Sequence, residues 1–193
     1  MRTIGVVSGS RSDYGIYLPI LRRIQQDPEL KLHLIVTGMH LAHQFGFTVR
    51  TIDQDGFEIG DRIEMLLMSD TSEGLAKSLG IGVMGFAESY ARCRPDILLV
   101  LGDRLEMLAA VAASLTFRIP VAHIHGGEST EGAIDELIRH AITKMSHLHF
   151  ASTESYAQRI IQMGEEPWRV VVSGAPSLDN LSAIHLLNPQ ELK

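Results

Sequence analysis

The chain contains 193 residues, of which 45% are hydrophobic and 21% are charged, a composition typical of a folded globular protein that excludes a disordered one. The formal net charge of −6 excludes the basic surface of a nucleic-acid-binding domain. An anionic ligand would therefore be held by local arginines and helix N-termini. Cys93 is the single cysteine, so no disulfide forms within the chain.

The sequence also bears on where the protein works. Its first residues predict a strand and lack the apolar core and cleavage site of a signal peptide. Its apolar runs are interrupted by charges well before the ~18 residues that a membrane span needs. We therefore expect a cytoplasmic protein that binds neither membranes nor nucleic acid.

Strand-like apolar runs alternate with segments of helical periodicity along the whole chain. This alternation predicts an α/β fold in which helices cover a parallel sheet. In chain order, the predicted strands are 4–7, 32–36, 57–65, 97–101, 121–124, 149–151 and 170–172. The first helix is predicted through Leu21 and Ile24, with Pro19 in its first turn, and a further helical segment is predicted around 41–45.

Two short loops follow predicted strands and carry polar groups. The loop 9–15 begins with glycine, which lets a backbone approach a ligand, and it contains Arg11, a charge suited to phosphate. It does not match the glycine-rich motifs of dinucleotide or triphosphate sites, and a plain turn with a surface arginine stays open. In the second loop, Asp103 is either a helix cap or a general base or acceptor for a sugar hydroxyl.

A third stretch, 120–140, runs from a strand into a polar loop and then a helix. It gathers titratable side chains where ligands bind in open α/β sheets. These are His123, His125, Glu128, Glu131, Asp135 and Glu136. The two histidines could bind a metal together with Glu128 or Asp135, although we favour no metal. The acidic residues could instead favour a helix N-terminus, with Asp135 and Arg139 paired on the helix surface.

Taken together, these motifs resemble a known family. The matching segments are 9–14, 101–104, 123–128, 134–140, 150–154 and 174–177. The chain resembles the N-terminal half of the UDP-N-acetylglucosamine 2-epimerase family, and most closely its hydrolysing branch, which serves sialic-acid-type sugar synthesis. The resemblance implies a Rossmann-like parallel sheet with helices on both faces, as the first half of a two-domain fold of the glycosyltransferase-B type. Residues 1–180 would form this domain, and residues 181–193 would begin the linker to a C-terminal domain that the chain lacks.

The resemblance also implies roles for individual residues. Asp103, His125 and Glu128 are alternative candidates for the base, since His125 stands where the non-hydrolysing pattern has glutamate. Asp135 matches a functional carboxylate of the family, and we count it with the catalytic residues. The expected substrate-binding residues are Ser10, Arg11, Asp13, Glu136 and Ser177.

The implied reaction converts UDP-N-acetylglucosamine and water into N-acetylmannosamine and UDP, by elimination of UDP followed by addition of water. No cofactor is expected, and the resemblance predicts a homo-oligomer, either dimer or tetramer. We expect the 193-residue chain by itself to be inactive. Two alternatives stay open: a related UDP- or GDP-linked diacetylated amino sugar as substrate, or a glycosyltransferase-type sugar-binding domain without turnover.

Overall fold

The protein contains one seven-stranded sheet in which every neighbouring pair of strands is parallel. The structure, a computed structural model, describes residues 1–130 and 134–180. The strands are β1 (Arg2–Ser8), β2 (Leu30–Thr37), β3 (Ile59–Ile63), β4 (Ile97–Leu101), β5 (Val121–Ile124), β6 (Leu148–Ala151) and β7 (Val170–Val172). Their order across the sheet is β3-β2-β1-β4-β5-β6-β7. The predicted parallel sheet is therefore confirmed.

Helices cover both faces of the sheet, as predicted. They are α1 (Arg11–Gln26), α2 (Val49–Gln54), α3 (Ser72–Arg92), α4 (Leu105–Phe117), α5 (Ile134–Met145) and α6 (Glu154–Gln162). One apolar core lies between the sheet and α3, α4 and α5, and includes Phe86, Met107 and Ile142. A second core lies between the opposite face and α1 and α2, and includes Tyr17 and Ile52.

Two local predictions are wrong. Pro19 lies in the interior of α1, because Ser10 caps that helix and starts it well before the apolar stripe. The segment around 41–45 forms two short 3-10 turns, Gly38–Leu41 and His43–Phe45, instead of an α-helix. Left-handed backbone at Gly46 and Phe47 ends that segment before α2 begins.

The sheet order brings the polar loops together. β1 and β4 are neighbours at the centre of the sheet. From β1 the strand order continues outward to β2 and β3, and from β4 it continues outward in the other direction to β5, β6 and β7. At such a switch point the loops at the carboxyl ends of the strands separate and leave a crevice. The loops that begin at Gly9, Gly102 and His125 all lie at this edge. The predicted linker 181–193 and Glu131 lie outside the described residues.

Within the described part of the chain, no helix is long and apolar enough to span a bilayer.

Candidate active site

Arg139 joins two of the predicted catalytic carboxylates. Its side chain extends from α5 and is 8% exposed. Nη2 donates hydrogen bonds to Oδ2 of Asp103 and, over 3.2 Å, to Oγ1 of Thr130. Nη1 donates to Oε2 of Glu128 over 3.3 Å. A single buried guanidinium therefore ties the turn after β4 to the loop after β5 through charge-assisted hydrogen bonds.

His125 and Glu128 form a hydrogen-bonded pair beside this arginine. Nδ1 of His125 lies 2.5 Å from Oε1 of Glu128, and the hydroxyl of Ser152, just after β6, donates to the same oxygen over 2.7 Å. A carboxylate oxygen only accepts, so Nδ1 donates this hydrogen bond, and Nε2 is the ring nitrogen left to act as an acceptor. His125 has a φ of 61°, a left-handed conformation that residues other than glycine rarely adopt. Such strain is concentrated at functional sites.

Glu128 is held in its ionised form. Burial alone would raise its pKa, but hydrogen bonds from His125 and Ser152, with the charge of Arg139, hold the pKa below its ordinary value. An ionised carboxylate cannot deliver a proton. It can orient the imidazole of His125 and stabilise that ring when it becomes positively charged.

The loop after β1 is built around a buried aspartate. Oγ of Ser10 accepts the backbone N–H of Asp13 over 3.4 Å, and the Asp13 carboxylate accepts the N–H of Gly9 over 3.1 Å. Nε of Arg104 lies 3.8 Å from the same carboxylate. Burial raises the pKa of Asp13, and the charge of Arg104 opposes that shift. Ser10 and Asp13 thus have internal partners, whereas Arg11 is exposed in the first turn of α1.

The other predicted site residues lie outside the network of Arg139. Asp135 is exposed in the first turn of α5. Its predicted surface ion pair with Arg139 is wrong, because that guanidinium turns inward to other carboxylates. Glu136 accepts a hydrogen bond from the Ser129 hydroxyl over 2.9 Å. Ser177 is exposed in a 3-10 turn after β7.

Three members of the site were not among the predicted residues. Arg139 is the central cation, Ser152 binds Glu128, and Arg104 lies between Asp13 and the buried Glu106, whose Oε1 accepts from its Nη2 over 3.3 Å. Arg104 and Ser152 each lie just past the carboxyl end of a strand. That same signal pointed to Asp103 and His125, so it could have found them.

In residues 1–130 and 134–180 no group of three or more His, Cys, Asp or Glu side chains is placed to hold a metal ion. The two histidines that suggested one are directed to different partners. His123 contacts the carbonyl of Gly102 and the hydroxyl of Thr143, while His125 contacts Glu128.

The fold and the site together define a class of protein. A doubly wound sheet whose strand ends present a histidine, two carboxylates and an arginine is a Rossmann-like domain with groups suited to proton transfer. Comparison with known proteins identifies the family. The chain belongs to the UDP-N-acetylglucosamine 2-epimerase family, whose sequence model matches residues 22–193.

Individual relatives agree with this assignment. The chain is 44% identical to a UDP-N,N'-diacetylbacillosamine 2-epimerase (hydrolyzing) of Legionella pneumophila, over 94% of this chain and 48% of that protein. It is 39% identical to the polysialic acid biosynthesis protein P7 of Escherichia coli, over 100% of this chain and 49% of that protein. It superposes with a TM-score of 0.82 on the crystal structure of UDP-GlcNAc 2-epimerase from Neisseria meningitidis bound to UDP-GlcNAc, at 20% identity over 94% of this chain and 48% of that one. The chain thus spans about half the length of these relatives.

Proposed function

We propose that the chain forms one wall of the active site of a cytoplasmic, hydrolysing nucleotide-sugar 2-epimerase. Its substrate is a UDP-linked 2-acetamido sugar, and its products are UDP and the free sugar epimerised at C2. With UDP-N-acetylglucosamine the second product is N-acetylmannosamine. The observation that carries the proposal is the pairing of His125 with an ionised Glu128 beside Asp103, at the strand ends of a sheet of this family.

The chemistry requires a base and a second acid/base group. In the first step a base takes the proton from C2, the C1–O bond breaks, its electron pair leaves with UDP, and a C1–C2 double bond forms. In the second step water adds its oxygen to C1, and a proton returns to C2 from the opposite face. Removal and return on opposite faces of the ring call for two different groups.

The site offers a candidate for each group. Nε2 of His125 accepts the C2 proton, and Glu128 then stabilises the imidazolium through the hydrogen bond at Nδ1. The carboxyl group of Asp103 carries out the second proton transfer, the return of a proton to C2. Arg139 donates hydrogen bonds to the carboxylates of Glu128 and Asp103. It therefore fixes the separation between the two acid/base groups, His125 and Asp103. Asp135, at the exposed start of α5, is a further candidate carboxylate at this edge.

Departure of UDP needs positive charge near the phosphates. Arg11 is exposed in the first turn of α1, where unpaired backbone N–H groups of the helix also favour an anion. We assign the diphosphate to this side of the crevice. Ser10 and Asp13 contribute by holding the loop in shape, since their side chains bind the backbone of the loop itself.

A second substrate has a specific observation in its favour. The Legionella relative, which is 44% identical to this chain, has a diacetylated bacillosamine sugar in its name. The same elimination applies to that sugar, because it carries an acetamido group at C2 and UDP at C1. The test therefore compares UDP-N-acetylglucosamine with UDP-N,N'-diacetylbacillosamine.

The test uses the longest natural polypeptide that contains these 193 residues. Each substrate is incubated in D2O, UDP release is measured, and the free sugar is analysed by NMR. We expect deuterium at C2 of a product inverted at that carbon. Product without deuterium at C2 would contradict the elimination. UDP release that depends on an added acceptor sugar would instead indicate a glycosyltransferase. Sedimentation of the same protein checks the predicted dimer or tetramer.

A further inference from the structure

His123 is buried inside the sheet, next to residues of the candidate site. It lies in β5, and none of its surface is exposed. Nε2 is 2.7 Å from the carbonyl oxygen of Gly102, and Nδ1 is 3.3 Å from Oγ1 of Thr143. Both ring nitrogens are therefore engaged inside the protein, so this imidazole cannot reach a substrate in the crevice.

The two contacts define the state of the ring. A carbonyl oxygen only accepts, so the proton of His123 is on Nε2. Nδ1 is then a bare acceptor, and the Thr143 hydroxyl donates to it. Burial lowers the pKa of His123 to about 3, although the hydrogen bond to the Gly102 carbonyl opposes that shift. The ring is neutral at any pH at which the enzyme would work.

Both partners of His123 adjoin residues of the site. Gly102 immediately precedes Asp103, and it has a left-handed φ of 71°. Its N–H donates to the Ile124 carbonyl over 2.9 Å and its carbonyl accepts from His123, so both of its backbone polar groups are bound to β5. The turn that presents Asp103 therefore has its position set from β5.

The second partner connects His123 to the central arginine. Thr143 is fully buried in α5, one helical turn after Arg139. The loop that carries the His125–Glu128 pair also rests on the ring of His123: a Cβ added to Gly126 would lie 2.9 Å from Nδ1. One imidazole thus binds the turn before Asp103 and the helix that carries Arg139, and it lies against the loop that carries His125 and Glu128.

We propose that His123 is the positioning residue of this site: its Nε2–H holds the Gly102 carbonyl, and its Nδ1 holds the Thr143 hydroxyl, so that Asp103 and Arg139 keep the geometry that turnover requires. The inference rests on the proposed function for its kinetic consequence. The hydrogen-bond arrangement it describes can be tested without any turnover.

His149 provides the matched control. It pairs with His123 across β5 and β6, it is equally buried, and its Nε2 lies 3.3 Å from Oε2 of Glu165, outside the site. A general loss of packing would affect variants of both histidines alike. A positioning role affects variants at His123 alone.

The first test is NMR of the 193-residue chain. We expect His123 to be neutral and protonated on Nε2 from pH 8 down to about 5. We further expect His123→Leu to broaden or shift the side-chain N–H signals of Arg139, whereas His149→Leu leaves them in place. A proton on Nδ1, a charged ring at neutral pH, or unchanged Arg139 signals in folded His123→Leu would overturn the proposal.

The second test is kinetic and uses the longest natural polypeptide. His123→Leu should lower kcat on the order of 100-fold with little change in KM, because small misplacements of catalytic groups cost about that much. His123→Gln, whose amide can donate near the position of Nε2, should recover most of the loss, and His149→Leu should stay within about twofold of wild type. In an Asp103→Asn background the His123→Leu change should cost less than about threefold, since residues that act as a unit are not additive.

Two kinetic results would refute the role. One is folded His123→Leu with wild-type kcat, and the other is an undiminished loss in the Asp103→Asn background. A wild-type enzyme that turns over neither UDP sugar would refute the proposed function instead, and the NMR result would still decide the arrangement around His123.

Discussion

Mild acid should destabilise this protein because its buried histidines are held neutral. Burial lowers the pKa of His123 to about 3 and that of His40 to about 4. His40 is fully buried, with Nε2 2.9 Å from Oγ of Ser8 and Nδ1 2.8 Å from Oγ1 of Thr48. In the unfolded chain both rings would titrate near 6.5. Between these values the unfolded chain binds more protons, so the free energy of unfolding falls as pH falls.

The expected magnitude follows from the two pKa values. A pH of 5 lies about 1.5 units below the pKa of each ring in the unfolded chain, and above the pKa of each ring in the folded protein. The difference corresponds to about 2 kcal/mol per ring. The two rings together should lower the free energy of unfolding by about 4 kcal/mol between pH 7.5 and 5, a large part of the ~5–15 kcal/mol typical of a domain. The carboxyl groups with lowered pKa, such as Glu128 and Glu165, lose their contribution only at more acidic pH.

Urea unfolding of the 193-residue chain at pH 7.5, 6 and 5 measures this effect. His123→Gln and His40→Gln should each reduce the pH dependence by about 2 kcal/mol over this range, whatever they do to stability at pH 7.5. His43→Gln changes an exposed histidine and should leave the pH dependence as it is. If both buried-site variants kept the full wild-type pH dependence, the rings would not be held neutral, and the reasoning from burial would fail.

Three further predictions concern turnover, measured as UDP release. Arg139→Lys should lower kcat on the order of 100-fold, because an ammonium cannot bridge two carboxylates as the guanidinium does, while Arg92→Lys, on the exposed end of α3, should have no effect. Asp103→Asn should lower kcat at least about 100-fold, and unchanged turnover would remove Asp103 from the mechanism. Because relatives are about twice as long, the 193-residue chain alone should release little UDP, and rapid release by it would show that these residues suffice.

The sheet and the edge that carries the site could be predicted because strand endings are visible in sequence. Several strands are followed by a glycine or a titratable residue, as at Gly9, Gly102 and His125. Parallel strands bring such endings to one edge, so the loops of Asp103 and His125 could both be expected at that edge. In the structure, Asp103 is linked through Arg139 to Glu128, the partner of His125, although the prediction had assigned Arg139 to the helix surface.

That residue, Arg139, shows what local patterns cannot reveal. The spacing of four from Asp135 predicted an ion pair on the helix surface, a rule that holds where both side chains meet solvent. The rotation of α5 is instead set by Ile138 and Ile142, which pack into the core and carry the intervening arginine inward. There the arginine contacts two carboxylates from other loops, Asp103 and Glu128, and the sequence does not indicate that these residues lie close to it. Asp13, in α1, also turns inward, because its carboxylate accepts the N–H of Gly9.

The hydrogen bonds of the site give its titratable residues different tasks. Glu128 accepts three hydrogen bonds, of which the one from Arg139 is also an ion pair, so it stays ionised and can orient its neighbour. His125 has Nδ1 engaged and presents Nε2, which suits a base. His123, two residues earlier, has both ring nitrogens hydrogen-bonded within the protein, which suits a positioning role. Under the proposed mechanism, the two histidines that suggested a shared metal, His123 in β5 and His125 just after it, act as a supporting ring and a reactive ring.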